Sequence, residues 1–253
     1  MSARVAIVTG ASRGIGAAIA RTLAEAGCHV VAAARSQEAL DAMVDALPVS
    51  GLAHACDLSQ PDAAAQLVEA TLARFGRIDI VVNNAGATPR GDFFAFDDAA
   101  WADGFALKFF GAVRLSRAAW PHLVESRGCI VNIAGIGGRT GNAEFTIGGS
   151  VNAALLNLTK ALADRGVRDG VRVNAINPSS IATERTQVRI DRLAAERGIA
   201  ADVASKELAR ELRVARFGTP QEIASVVAFL ASDAASYMQG AIVDVDGGQT
   251  RTL

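Results

Sequence analysis

The segment Thr9-Gly-Ala-Ser-Arg-Gly-Ile-Gly16 places three glycines, Gly10, Gly14 and Gly16, between a short apolar run and an amphipathic one. Glycine admits positive φ and lets another molecule come close to the backbone. The start of a helix offers unpaired N–H groups and a partial positive charge, so it favours an anion. After a strand and before a helix, this pattern reads as a cradle for the pyrophosphate of a dinucleotide. A second informative position ends the next apolar run, where Ala34 is followed by Arg35 and no carboxylate is present. An acidic side chain there would bond ribose hydroxyls and repel a 2′-phosphate. Arg35, with Arg13 in the glycine turn, instead favours a 2′-phosphate.

These residues need a frame. Residues 5–8 read as a buried strand and 15–26 as a helix with Ile15, Ile19, Leu23 and Ala26 on one face, stopped by Gly27. Residues 29–34 form the second strand, and Ser36 caps a helix to about 47. The alternation continues with a strand at 51–56, a helix at 60–75 and a strand at 78–82. A long helix at 98–126 follows, which Pro121 should kink or divide. Strands at 129–134, 171–176 and 241–245 and helices at 148–169, 184–212 and 220–232 complete the chain. Such alternation predicts an α/β fold: one doubly wound parallel sheet of about seven strands, of Rossmann type, with helices on both faces. No linker, repeat or low-complexity tract divides residues 1–253, so one unit is expected. The irregular stretch at about 179–218 leaves the carboxyl end of a strand, where ligands bind in this architecture, and is a candidate helical lid.

Composition narrows the function classes. Hydrophobic residues make up 51% of the 253 and aromatic ones 5%, which suits a Val/Ile/Ala sheet under Ala-rich helices. With 25 basic and 26 acidic residues, no positive excess exists to hold nucleic acid or an acidic membrane. No apolar run reaches the roughly 18 residues of a membrane span, and residues 1–4 lead directly into a strand without a secretory leader. Cys28, Cys56 and Cys129 are odd in number and read as free thiols in a reducing cytoplasm. His29, His54 and His122 are scattered and read as structural, and no metal-ligand spacing occurs.

The Gly-x-x-x-Gly-x-Gly spacing resembles the short-chain dehydrogenase/reductase family. Further pieces match in order: Asp57-Leu58, Asn83-Asn-Ala-Gly86, Val171-Arg-Val-Asn-Ala-Ile-Asn-Pro178 and Asp246-Gly-Gly248. The resemblance covers nearly the whole chain. It implies that Gly10, Ser12, Gly14, Ile15 and Gly16 surround the pyrophosphate and adjoining ribose. Asp57 would bond the adenine amino group beside Leu58. Asn84, Ala85 and Gly86 would pass under the adenosine ribose. Pro178, Ile181 and Thr183 would border the nicotinamide, although Ser179 stands where the family usually has glycine. With Arg13 and Arg35, the implied cofactor is NADP in preference to NAD.

The family's proton chemistry uses an Asn, a Ser, a Tyr and a Lys. The flanking anchors place Lys108 at the Asn position, Gly135 at the Ser, Gly148 at the Tyr and Asn152 at the Lys. The only tyrosine is Tyr237, far downstream. Glycine has no proton to give, so the family's acid–base step at Gly148 is excluded, and the two glycines leave room for a bulkier ligand, water or another loop. Lys108 and Asn152 are the family's Asn and Lys types exchanged, which makes Lys108 the candidate acid or base. Glu144 is the one carboxylate among the neighbouring polar residues Arg139, Asn142, Thr146 and Ser150. Three readings follow: an NADP-dependent oxidoreductase of a carbonyl or alcohol with unusual catalytic residues, a nucleotide-binding sensor or partner protein without turnover, or a non-redox enzyme on the same fold. The resemblance also implies a small-molecule substrate and a homo-oligomer, a tetramer or dimer. Its contacts would be the helices at 98–126 and 148–169 and the last strand.

Overall fold

A computed structural model describes residues 3–251. Seven strands form one parallel sheet in the order β3-β2-β1-β4-β5-β6-β7. They are β1 (Val5–Thr9), β2 (His29–Ala34), β3 (Gly51–Ala55), β4 (Ile80–Asn83), β5 (Cys129–Ile133), β6 (Arg172–Pro178) and β7 (Ile242–Val245). The order reverses between β1 and β4, which opens a crevice at the carboxyl ends of these strands.

Each central strand is buried on both faces. Along β1, Ala6 and Val8 join one core while Val5 and Ile7 join the other, the two-residue alternation of a strand. The first core is closed by α1 (Gly14–Glu25), α2 (Gln37–Asp45) and α9 (Pro220–Ala231), through Ile19, Leu23, Leu40, Ile223 and Val227. The second is closed mainly by α3 (Ala63–Phe75) and α5 (Gly111–Ser126), through Leu67, Leu115 and Leu123. The fully buried Leu155 of α6 (Thr146–Asp169) packs on β6 at Ala175.

Boundaries follow local chemistry. Ser36 accepts the Ala39 N–H and caps α2 as expected. The helix expected at 98–126 is interrupted, but not by Pro121. It is α4 (Asp98–Phe105), then a five-residue π-helical segment (Ala106–Phe110), then α5 running straight through Pro121. Pro121 and Arg117 are both exposed, so the helix bond that the proline cannot donate is lost on the solvent side, where it costs least.

The stretch at 179–218 holds α7 (Glu184–Arg197) and α8 (Ala201–Glu211), which share a small apolar cluster of Ile190, Ala204 and Leu208. Arg197 bridges to Glu207 at 2.6 Å and Glu211 at 3.0 Å. The pair is hinged to the sheet by the bridge between Ile181 and Gly218, where the Ala182 N–H donates to Gly218 O at 2.7 Å.

Candidate active site

The first half of the site is the turn between β1 and α1. Thr9 is buried, and its hydroxyl donates to Val82 O at 3.2 Å while accepting the N–H groups of Asn84 and Ala85 at 2.9 Å each. The Asn84 amide donates to Thr9 O at 2.9 Å and Gly10 O at 3.3 Å. The turn after β4 thus braces the turn after β1 from beneath. Gly10 has φ +64, and a Cβ on Gly16 would fall 2.1 Å from Gly10 O. No other residue type fits this close approach. Gly14, Ile15 and Gly16 open α1, where the first N–H groups have no helical partner. Thr183, just before α7, brings its methyl within 3.5 Å of a Cβ on Gly14. Ser12 is partly exposed beside them.

Arg35 lies exposed at the end of β2. Asp57 accepts the Ser59 N–H at 3.0 Å and the Ser59 hydroxyl at 2.8 Å. These bonds, assisted by the charge of Arg35, hold its carboxyl below the usual range, so it is ionised. Leu58 is buried in the second core. Arg13 reaches across the turn to Glu184 at 3.1 Å rather than toward Arg35. Ile181 is a core residue, and its carbonyl accepts the Thr186 hydroxyl at 2.6 Å. Pro178 ends β6, and the Ser179 hydroxyl donates to the Gln249 side chain. A dinucleotide fits this set: a positive-φ glycine turn at a helix start for the pyrophosphate, and an ionised, partly exposed carboxylate for the base.

The second half gathers the four positions singled out for proton chemistry. Lys108 lies in the π-helical segment and donates from Nζ to Ala134 O at 2.6 Å. Its stem crosses Gly86, where a Cβ would come within 2.8 Å of Lys108 Cδ. The side chain keeps slight exposure, but the ammonium is drawn inward. Burial, and then the charge of Arg185, lower its pKa to about 8. Gly135 follows β5, and its N–H donates to Asn177 Oδ1 at 3.2 Å. A Cβ there would lie 3.0 Å from Asn152 Nδ2. Asn152 is 4% exposed, and its Oδ1 has no partner among the described residues. Gly148 does not face empty space. The ring of Phe145 occupies the place of its side chain, with Cζ 2.1 Å from an ideal Cβ. The guanidinium of Arg90 stacks on that ring at 4.3 Å.

Beneath this group runs a buried polar chain. The Asn83 amide donates to Asn132 Oδ1 at 2.8 Å and Ser116 Oγ at 3.2 Å, and the Asn132 amide donates to Thr159 Oγ1 at 2.9 Å. It ties β4 and β5 to α5 and α6, the helices that follow Lys108 and carry Asn152.

Other sequence candidates fall outside this arrangement. Glu144 and Ser150 are exposed, Asn142 caps a short turn, and Arg139 pairs with Asp244 at 2.5 Å. Thr146 Oγ1 is buried and without a partner among the described residues. His29 stacks on Phe75, and His122 lies 3.8 Å from Glu125. Sequence reasoning missed Phe145, whereas Arg90 lies in the stretch 89–96 that it expected to line the substrate pocket. For Phe145 the available signal was an aromatic residue three positions before Gly148.

Sheet order, glycine turn and the residues beyond the strand ends define a dinucleotide-dependent dehydrogenase or reductase class. A family model described as enoyl-(acyl carrier protein) reductase matches residues 10–250. The chain belongs to the short-chain dehydrogenase/reductase family. It is 36% identical to the 3-oxoacyl-[acyl-carrier-protein] reductase of Escherichia coli K12, over 97% of this chain and 96% of that one. L-sorbose reductase from Gluconobacter frateurii, solved with NADPH and L-sorbose, superposes with a TM-score of 0.94 at 33% identity, covering 100% and 98% of the two chains. A short chain oxidoreductase from Pseudomonas aeruginosa PAO1, described as containing an atypical catalytic center, gives 0.92 at 31% identity, covering 99% and 98%.

Proposed function

We propose that this protein is an NADPH-dependent reductase of a carbonyl compound, reversible as an alcohol dehydrogenase, in which Lys108 handles the proton. The observation that carries this is the ammonium drawn inward to Ala134 O at 2.6 Å, where burial favours the neutral amine. NADPH, when bound, supplies a hydride and becomes NADP⁺. Support for that cofactor is Arg35 without a neighbouring carboxylate, and the NADPH held by L-sorbose reductase. Gly10, Ser12, Gly14, Ile15, Gly16 and Asp57 would hold it, with Thr183 at the edge.

The chain then has three tasks. Lys108 gives an Nζ proton to the carbonyl oxygen as that carbon is reduced, so C=O becomes CH–OH, and the neutral amine regains a proton from water. The peptide carbonyl at Ala134 keeps the amine aimed. Asn152, with an unused acceptor oxygen, orients a water or the product hydroxyl by accepting a hydrogen bond from its O–H. In this reading Lys108, Gly135, Gly148 and Asn152 stand where the family has Asn, Ser, Tyr and Lys. The Pseudomonas aeruginosa neighbour supports such a departure on this fold. The α7–α8 pair acts as a lid, pinned to the glycine turn by Arg13 and Glu184, and copies associate through α5, α6 and the β7 edge.

Phe145 in the Gly148 position favours a second reading, a nucleotide-binding protein without turnover. The test is NADPH fluorescence on binding, followed by a panel of ketones and aldehydes. Binding with NADPH oxidation is expected. Binding without oxidation of any substrate supports the second reading, and no binding overturns both.

A further inference from the structure

The mouth of the site collects three arginines that the proton and hydride chemistry above does not use, over the lysine that it does. Arg90 lies after β4. Arg185 and Arg189 stand one turn apart on α7, and Lys108 lies on the floor. Arg90 is held from two sides. Its guanidinium stacks on Phe145 at 4.3 Å, and the next N–H, of Gly91, donates to Glu144 O at 3.0 Å. Among the described residues no carboxylate lies within 4.0 Å of Arg90, Arg185 or Arg189, so an incoming anion would meet no protein carboxylate already paired with them. The charges oppose one another. Desolvation and then Arg189 lower the Arg90 pKa, with Glu144 only partly offsetting them, and Arg185 lowers that of Lys108. Arg90, Arg185 and Arg189 are solvent-exposed, and like charges one helical turn apart repel only weakly, a repulsion that an anion joining the cluster would relieve.

We propose that the substrate is a carbonyl compound or alcohol bearing an oxyanion, a carboxylate or a phosphate, which Arg90 and Arg189 hold at the mouth of the site. The proposal rests on the carbonyl-reductase reading above. The planar forks of two arginines suit the paired oxygens of either group. Position separates this anion from the dinucleotide's own phosphates. Arg185 donates to Gly86 O at 3.5 Å and shares the start of α7 with Thr183, at the glycine turn. Arg185 therefore belongs to the cofactor side. Arg189 is one turn farther along α7, and Arg90 sits on Phe145, which fills the Gly148 position.

The experiment is calorimetry on the NADP⁺-saturated protein. Levulinate is compared with ethyl levulinate, and dihydroxyacetone phosphate with dihydroxyacetone. At least one anion is expected to bind about 10-fold or more tightly than its neutral partner, and the better of the two identifies carboxylate or phosphate. Arg90→Gln and Arg189→Gln should each weaken that anion about 10–100-fold, the worth of a charge-assisted bond. They should leave the neutral partner and NADP⁺ affinity unchanged. Equal binding of anion and neutral partner, no binding of either anion at millimolar concentration, or variants that bind like the parent would overturn the proposal. Anion binding without any NADPH oxidation would sustain the anion site while refuting the reductase reading.

Discussion

At neutral pH an ordinary lysine, with a pKa near 10.4, is almost wholly protonated and a poor partner for reversible proton transfer. At about 8 the Lys108 amine has both forms within reach, which suits general acid–base work. Carbonyl reduction needs the ammonium, so its rate should be level below pH 8 and fall as pH rises through about 8. Alcohol oxidation needs the free amine and should show the mirror image. Lys108→Met should abolish both limbs and lower turnover by about 10²–10⁴-fold, with NADPH affinity little changed. Steady-state rates from pH 6 to 10 check this, and an unchanged profile in the variant would remove Lys108 from the chemistry. The stability effect has a definite sign. The folded pKa is depressed, so between about 8 and the unfolded value the unfolded chain binds more protons, and the contribution of this group to stability rises with pH across that window.

Whether Lys108 can point inward is decided by its element. A π-helical segment carries one residue more than the regular helix would, and such insertions recur at functional sites. Here it spans Ala106–Phe110, and Gly86 leaves room for the lysine stem against the opposite turn. Deleting Ala106 should let α4 run into α5 as regular helix and turn Lys108 about 100° around the axis, the step of one residue at 3.6 per turn. Such a variant is expected to keep a native circular dichroism spectrum and NADPH binding while losing turnover as completely as Lys108→Met. Full activity would show that the bulge does not aim the amine. Periodicity could not reveal this segment, because its residues Ala-Leu-Lys-Phe-Phe suit an α-helix as well. Pro121 was the visible breaker, yet it faces solvent and α5 absorbs it. The strands were legible because each is a short apolar run bounded by turn residues, and β2 matches its expected limits at 29–34. The glycine turn was legible because its spacing has one geometric purpose. Phe145 was less so: its spacing from Gly148 is visible, but that its ring turns onto Gly148 depends on the non-helical backbone of Phe145 ahead of the helix, which the residue types do not specify.

The sheet fixes both halves of the site relative to each other, so defects far from the site also test the assignment. Asp79, 2% exposed, accepts the Val5 N–H at 2.8 Å and Arg77 at 2.6 Å, and its carbonyl accepts the Cys129 N–H at 2.9 Å. One residue thus clamps the amino ends of β1 and β5 to the start of β4. Asp79→Ala should cost about 1–3 kcal/mol in urea denaturation, the cost of leaving the buried Val5 N–H without its acceptor. A loss below 1 kcal/mol would deny it that clamp. Cofactor choice is likewise read on the whole molecule. A ligand at 100 times its Kd stabilises the fold by about 2.7 kcal/mol. For a chain of this size, with about 2–4 °C gained per kcal/mol, the melting temperature should rise by about 5–10 °C. NADPH should reach that shift at concentrations where NADH gives little, because only NADPH offers Arg35 a 2′-phosphate. Arg13 can contribute as well, since its pairing with Glu184 is a 75%-exposed surface contact worth at most about 1 kcal/mol. Arg35→Ala should bring the two nucleotides to similar shifts by weakening NADPH at least about 10-fold, the lower end of a charge-assisted bond. A parent protein that NADH stabilises as strongly as NADPH would overturn the NADP assignment while leaving the glycine cradle and the Lys108 chemistry in place.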